Sequence, residues 1–248
     1  MSIELDALLI ILLAMAAGGV VKGATGMGLP QVAIPVMATF LGVEAAVVIM
    51  AIPGIVTNTW LLWNHRSSYR QTRDLPTLLV LGALGTIAGS LALDSLNEDV
   101  LSLVLAAMIG LYVVVFFTHP NLRLTPAFTR IASPPVGVAA GLLQGSTGMS
   151  GPLISTYLHS YRMERAVFVV SLTTIFQFFA VVQAATLLGV GLYTTERFVL
   201  STLSVFAAMA SLPLGERLGA RWSRRMFEIT VIVILVASAA KLLYDALS

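Results

Sequence analysis

The chain has 248 residues, of which 58% are hydrophobic and only 10% charged, with a formal net charge of +2. A soluble domain carries roughly a quarter charged residues, so there is too little charge here to coat a water-facing surface, and lipid is the expected solvent. The absence of cysteine excludes disulfides and thiolate metal sites, and three widely separated histidines (His65, His119, His159) argue against a metal centre.

The N-terminal stretch carries Glu4 and Asp6 and no Lys or Arg before its apolar run, unlike an ordinary signal peptide. It is read as a retained membrane segment. Region 5–41 is hydrophobic but interrupted by Lys22-Gly-Ala-Thr-Gly-Met-Gly-Leu-Pro30. Three uninterrupted spans follow, at 44–63, 75–93 and 99–118, each near the 20 apolar residues that cross a bilayer. Trp60, Trp63 and Tyr69 read as interfacial anchors, with His65 a solvated loop residue. Region 131–158 is again interrupted, by Gln144-Gly-Ser-Thr-Gly-Met-Ser-Gly-Pro152. Three more spans follow at 166–188, 194–214 and 226–246.

The two interruptions are copies of each other. At an offset of 122, Gly23, Thr25, Gly26, Met27 and Pro30 fall on Gly145, Thr147, Gly148, Met149 and Pro152. More weakly, Gly85–Gly89 aligns with Ser211–Gly215 at an offset of 126. The chain therefore divides into two halves of one membrane domain, 1–120 and 121–248.

Loop charge sets the orientation. Arg66, Arg70 and Arg73, then Arg123 and Arg130, then Arg162 and Arg165, then Arg217, Arg221, Arg224 and Arg225 lie in four loops, all placed in the cytoplasm. These clusters read as topology rather than as a nucleic-acid surface. Loops 119–130 and 159–165 then share one side, so region 131–158 enters and leaves on that side as a V. By the repeat, region 5–41 is a V entered from outside. Each half has one V and three spans, an odd number of crossings, which inverts the second half. The expected fold is all-α: two inverted repeats, each a broken re-entrant V-shaped helix pair plus three transmembrane helices, as in secondary transporters.

The breaks carry the chemistry. Irregular backbone within a membrane survives only in protein or beside a wet cavity. Glycine there allows positive φ and close approach. The helices restarting near Pro30 and Pro152 aim N-termini at the breaks, and such ends favour anions. Lys22 is the one ionisable residue well inside the apolar region; it is either a functional charge, at about 3 kcal/mol of insertion cost, or a residue snorkelling to an interface. The candidate substrate-binding set is Lys22, Gly23, Ala24, Thr25, Gly26, Gly28 and Gln31 from the first break. From the second come Gln144, Gly145, Ser146, Thr147, Gly148, Ser150 and Gly151. Asn58 and Gln177 are candidate supporting residues, or helix cross-links. Gln183, nearer a segment end, is given no role. Close helix packing is the competing reading for the glycines, most clearly for Gly19 and Gly141. All Asp and Glu lie at segment ends or in loops, so no buried carboxylate is expected to relay protons.

The two motifs, Gly19-Val-Val-Lys-Gly-Ala-Thr-Gly-Met-Gly-Leu-Pro30 and Gly141-Leu-Leu-Gln-Gly-Ser-Thr-Gly-Met-Ser-Gly-Pro152, resemble those of the TauE/SafE family of membrane proteins, as does the chain length. That resemblance covers essentially the whole chain. It implies transport of sulfur-containing anions such as sulfite, sulfoacetate or other organosulfonates, often outward. The resulting expectation is a multi-pass transporter of the bacterial inner membrane, working by alternating access, with a small anion and the lipid bilayer as partners and no cofactor. A passive anion channel and a carrier of small carboxylates are the alternatives; an enzyme is not expected, since no acid pair or Ser/His/Asp set lies in the spans.

Overall fold

The computed structural model describes residues 5–64, 66, 75–118, 126–161, 163–219 and 224–247, and the regular structure among them is helical. In chain order the helices are α1 (Leu5–Thr25), α2 (Leu29–Leu41), α3 (Val43–Asn64), α4 (Leu75–Ser95) and α5 (Glu98–Thr118), then α6 (Pro126–Thr147), α7 (Gly151–His159), α8 (Arg165–Gly189), α9 (Thr195–Gly219) and α10 (Arg224–Leu247). The six uninterrupted spans expected from hydropathy are α3, α4, α5, α8, α9 and α10, with ends moved by a few residues. Among the described residues, α1, α3, α4, α8 and α9 are long and apolar enough to cross a membrane. Five of the eleven arginines used for orientation, Arg70, Arg73, Arg123, Arg162 and Arg221, lie outside the described residues, as do His65, Tyr69 and His119.

Both interrupted regions are helix hairpins with unequal arms. In the first, α1 stops at Thr25, whose Oγ1 donates to the Val21 carbonyl (2.9 Å) and accepts from the Met27 N–H (3.2 Å). Gly26 and Gly28 then adopt φ of 79° and 106°, a left-handed region closed to most side chains. The chain doubles back, so Gly28 lies against Val21 and Leu29 against Gly18. In the second, Gly148 turns at φ 68°, and the Tyr157 hydroxyl of α7 donates to the Thr129 carbonyl near the start of α6 (2.8 Å). Helix α6 begins at Pro126, ahead of the expected 131, since proline is well suited to a first helical turn. The return arms are short. Helix α7 has 9 residues, about 14 Å at 1.5 Å per residue, roughly half a hydrocarbon core.

Two helix pairs carry the most extensive packing, α1 on α9 and α4 on α6. Their chemistry is glycine against backbone. Gly19 sits on Ala208 and Ser211, Gly23 on Leu212, and Gly215 on Val20. Likewise Gly141 sits on Gly82 and Thr86, Gly145 on Thr86 and Ser90, and Gly89 on Leu142. Lipid offers no hydrophobic drive for helices to associate, so close backbone approach at small residues supplies the contact energy. Both pairs run parallel, since Gly19 and Gly23 meet successively later residues of α9, as Gly141 and Gly145 do of α4. The contacts also exchange when the halves are exchanged: Gly19–Ala208 becomes Gly141–Gly82 at the offsets of 122 and 126.

The remaining contacts fix α3, the helix that faces the breaks. Pro53 lacks the N–H that would bond the Ile49 carbonyl, and Ser201 Oγ of α9 donates to that carbonyl instead (2.7 Å). Near the α3 N-terminus, Glu44 pairs with Arg197 (2.8 Å) and the Glu98 carboxylate accepts from the Val43 N–H.

The packing yields a stability prediction. A Cβ at Gly141 would fall on the Gly82 carbonyl, whereas one at Gly110 would meet nothing within 4 Å. Gly141→Ala is expected to destabilise the protein by about 1–3 kcal/mol, typical of overpacking; Gly110→Ala should leave it unchanged or slightly more stable. Thermal unfolding in detergent compares the two.

Candidate functional site at the helix breaks

The two breaks meet at one chamber. It offers about 40 Å³ to the centres of water-sized molecules. One water needs roughly 10–15 Å³ by that measure, so the space suits roughly three waters or one compact ion. Its walls come from equivalent positions of the two halves: Lys22 and Gln144, Met27 and Met149, Gly28 and Ser150, Gly54 and Phe176, and Asn58 and Ala180 all line it at the offset of 122. The breaks also brace each other's half in the same exchanged way, with Gly26 facing Val169 and Gly148 facing Val47.

The first half supplies the charge. Lys22, in the last turn of α1, is 3% exposed. Its Nζ donates to Thr57 Oγ1 (3.0 Å) and to Asn58 Oδ1, both on α3. Thr57 is oriented to accept because its own proton goes to the Pro53 carbonyl (2.7 Å). An ammonium has three N–H groups, so one remains after these two bonds. Lys22 forms no ion pair among the described residues. The partners that hold its ammonium, Thr57 and Asn58, are neutral dipoles. An uncompensated charge in an apolar interior is costly, and an anion beside it would relieve that cost.

The second half supplies a neutral clasp. Gln144 Nε2 donates to Gln183 Oε1 (2.9 Å), and Gln183 Nε2 donates back to the Gln144 carbonyl (2.6 Å). Ser150 Oγ donates to Gln144 Oε1 (2.7 Å), tying the start of α7 to the end of α6. Between the halves stands Gln31, in the first turn of α2, with its amide next to Gly28 and Gly151. Gln31 is 7% exposed and makes no side-chain hydrogen bond among the described residues. The N-termini of α2 and α7 both open on the chamber without a side-chain cap. The chamber therefore presents hydrogen-bond donors and one positive charge, a combination matched to oxyanions.

Of the residues expected from sequence, Lys22, Gly28, Gln31, Asn58, Gln144, Gly148, Ser150 and Gly151 line the chamber. The others do not. Gly23 and Gly145 are spent on packing against α9 and α4, Ala24 packs on the apolar core and Gly26 faces α8. Thr25 stitches its own turn, while Ser146 and Thr147 donate to the Leu142 and Leu143 carbonyls. Gln177 donates to Thr59 (3.1 Å), away from the chamber. Thr57, Gly54, Phe176 and Gln183 join the site without having been expected there. The signal was helical spacing: Phe176, Ala180 and Gln183 recur at i, i+4 and i+7 on one face of α8, and Gln177 lies off it. Among the described residues, no group of three or more His, Asp or Glu is gathered to hold a metal.

No curated protein and no solved structure matches the chain. A family of proteins does: the family described as Sulfite exporter TauE/SafE matches residues 10–242. The match includes both glycine-rich breaks and all but the ends of the chain. A chain of membrane-length helices, closed around a chamber of donors and one lysine, is accordingly a multi-pass membrane protein that belongs to the TauE/SafE family of sulfite exporters.

Proposed function

We propose that the protein is a secondary transporter that exports small sulfur-containing anions, sulfite or an organosulfonate, across the bacterial inner membrane by alternating access, with Lys22 as the charged anion contact. The observation that carries this reading is a buried ammonium with no acidic partner among the described residues, set between two uncapped helix N-termini. The sulfur chemistry of the cargo comes from the family. A sulfite or sulfonate head has three acceptor oxygens. Lys22, the Gln31 amide and the N–H groups at the starts of α2 and α7 are the donors for them.

The halves 1–120 and 121–248 act as inverted repeats in this reading, with each hairpin re-entrant. Support comes from the exchanged contacts, from the parallel pairs α1–α9 and α4–α6, and from the pairing of equivalent residues around the chamber. Rocking of one half against the other would open the chamber to each face in turn. The six polar side chains at the chamber, Lys22, Gln31, Asn58, Gln144, Ser150 and Gln183, are each less than 10% exposed. That degree of burial fits an occluded state, closed to both sides. An inside-negative potential favours the exit of an anion by about 2.3 kcal/mol per charge at 100 mV, so export needs no buried carboxylate.

Three experiments test the reading. Replacing Lys22 by Met removes the charge and keeps the bulk. Truncation of one member of a buried charge pair costs about 2–5 kcal/mol, so Lys22→Met is expected to weaken sulfite binding at least about 30-fold. The thermal stability of the ligand-free protein should not fall, because the variant no longer buries an unpaired charge. Normal affinity in the folded variant removes Lys22 from the site. For topology, the cysteine-free chain accepts single cysteines directly. Residues placed in 119–130 and 159–165 should both label from the cytoplasmic face only. Labelling from opposite faces would rule out the re-entrant second hairpin. Saturable counterflow in liposomes distinguishes a carrier from a channel.

A further inference from the structure

Four glycines line the chamber, and three have local reasons to be glycine. Gly28 and Gly148 have positive φ, and added Cβ atoms there would strike Val21 and Ile34. A Cβ at Gly151 would stand 2.6 Å from the Gln31 amide nitrogen. Gly54 is different. It lies within helix α3, has no positive φ, and a Cβ there would meet only the Met50 methyl, at 3.7 Å. Neither backbone geometry nor packing calls for glycine. Yet glycine within a helix is about 0.5–1 kcal/mol less favourable than alanine. What its missing side chain leaves is open space in the chamber.

The equivalent position in the second half is Phe176, at the offset of 122. Its ring also lines the chamber, and its tip lies about as far as van der Waals contact from the start of α7, 3.6 Å from a Cβ at Gly151. One wall is therefore pared to nothing where its counterpart carries the bulkiest side chain at the site. With room for only roughly three waters in all, one methyl group on either side changes what fits.

We infer that Gly54 and Phe176 determine specificity together: Gly54 makes the room for the anion, and the Phe176 ring limits how long that anion can be. This rests on the anion reading of the chamber. The substrate class it selects is a compact head group, a sulfur oxyanion or a sulfonate with a very short substituent. The polar contacts set by Lys22 are the same for every sulfonate, so discrimination falls on the walls. A hydrophobic wall discriminates by about 1–3 kcal/mol per methylene, roughly 10- to 200-fold.

The test is a series of singly charged sulfonates, methane-, ethane- and butanesulfonate, titrated against the purified full chain by calorimetry. Charge is constant and only length varies. The wild type should bind methanesulfonate best, with affinity dropping at least about 10-fold by butanesulfonate. Gly54→Ala should lose at least about 10-fold for ethanesulfonate while melting no lower than wild type. Phe176→Ala should gain at least about 10-fold for butanesulfonate; Phe176→Leu, which keeps more of the packing, should show the same direction if Phe176→Ala does not fold. Wild-type binding with an unchanged length profile in folded Gly54→Ala and Phe176→Leu overturns this inference and leaves the anion site standing. Binding of no sulfonate and no sulfite by the wild type overturns the anion reading, and this inference with it.

Discussion

A polypeptide in hydrocarbon has no water to satisfy its backbone, so a helix that stops inside the membrane must stop against protein. Helices α1 and α6 end at Thr25 and Thr147, and each ends against protein. Much of the architecture answers that constraint. The last turns are closed locally, by Gly26 N–H on the Lys22 carbonyl (2.7 Å) and Gly148 N–H on the Gln144 carbonyl (2.8 Å). The breaks are then walled in by the opposite half, at Val169 and Val47. What is left open is the pair of N-termini that restart the chain, and these become the polar lining of the chamber.

Glycine does two separate jobs within the same motif. At Gly26, Gly28 and Gly148 it permits the left-handed turns that reverse the chain. At Gly19, Gly23, Gly141 and Gly145 it lets helix backbones touch across the two halves. The second job holds the first in place. Because α1 lies on α9 and α6 on α4, each hairpin is anchored to a rigid helix along the arm that leads to its break. Lys22 is thereby delivered to a set depth, opposite Thr57 and Asn58.

The pseudo-symmetry of the walls makes the asymmetry of their chemistry informative. Where one half has Lys22, the other has Gln144, which is fully engaged with Gln183 and Ser150. Where one half has Gly54, the other has Phe176. The first half thus offers charge, a Gln31 amide unengaged among the described residues, and space; the second offers a fixed, neutral wall. In the proposed reading, an anion held between them would be attracted mainly to one half and shaped mainly by the other, a division that would suit a carrier of two similar bodies moving around a bound ion.

How much of this was legible in the sequence follows from which forces act locally. Hydropathy and length set six long helices within a few residues, because burying an apolar run is a demand on each segment alone. The repeat located both breaks, because the turn at Gly148 needs glycine for the same backbone reason as the turn at Gly26. Lys22 stood out because a charge in an apolar run is visible without any partner. The use of each small residue was not legible. Gly23 and Gly28 look alike in sequence, yet one packs on Leu212 and the other turns beside the chamber. Gln183 and Gln177 lie on one helix, and only its rotation about its axis, fixed by packing on α3 and α4, puts Gln183 inside and Gln177 against Thr59. The sequence by itself determined the helices, the two breaks and the one charge that is buried among the described residues. Only the tertiary structure decided which of their residues share the chamber, because that depends on helix rotation and contact between halves more than a hundred residues apart.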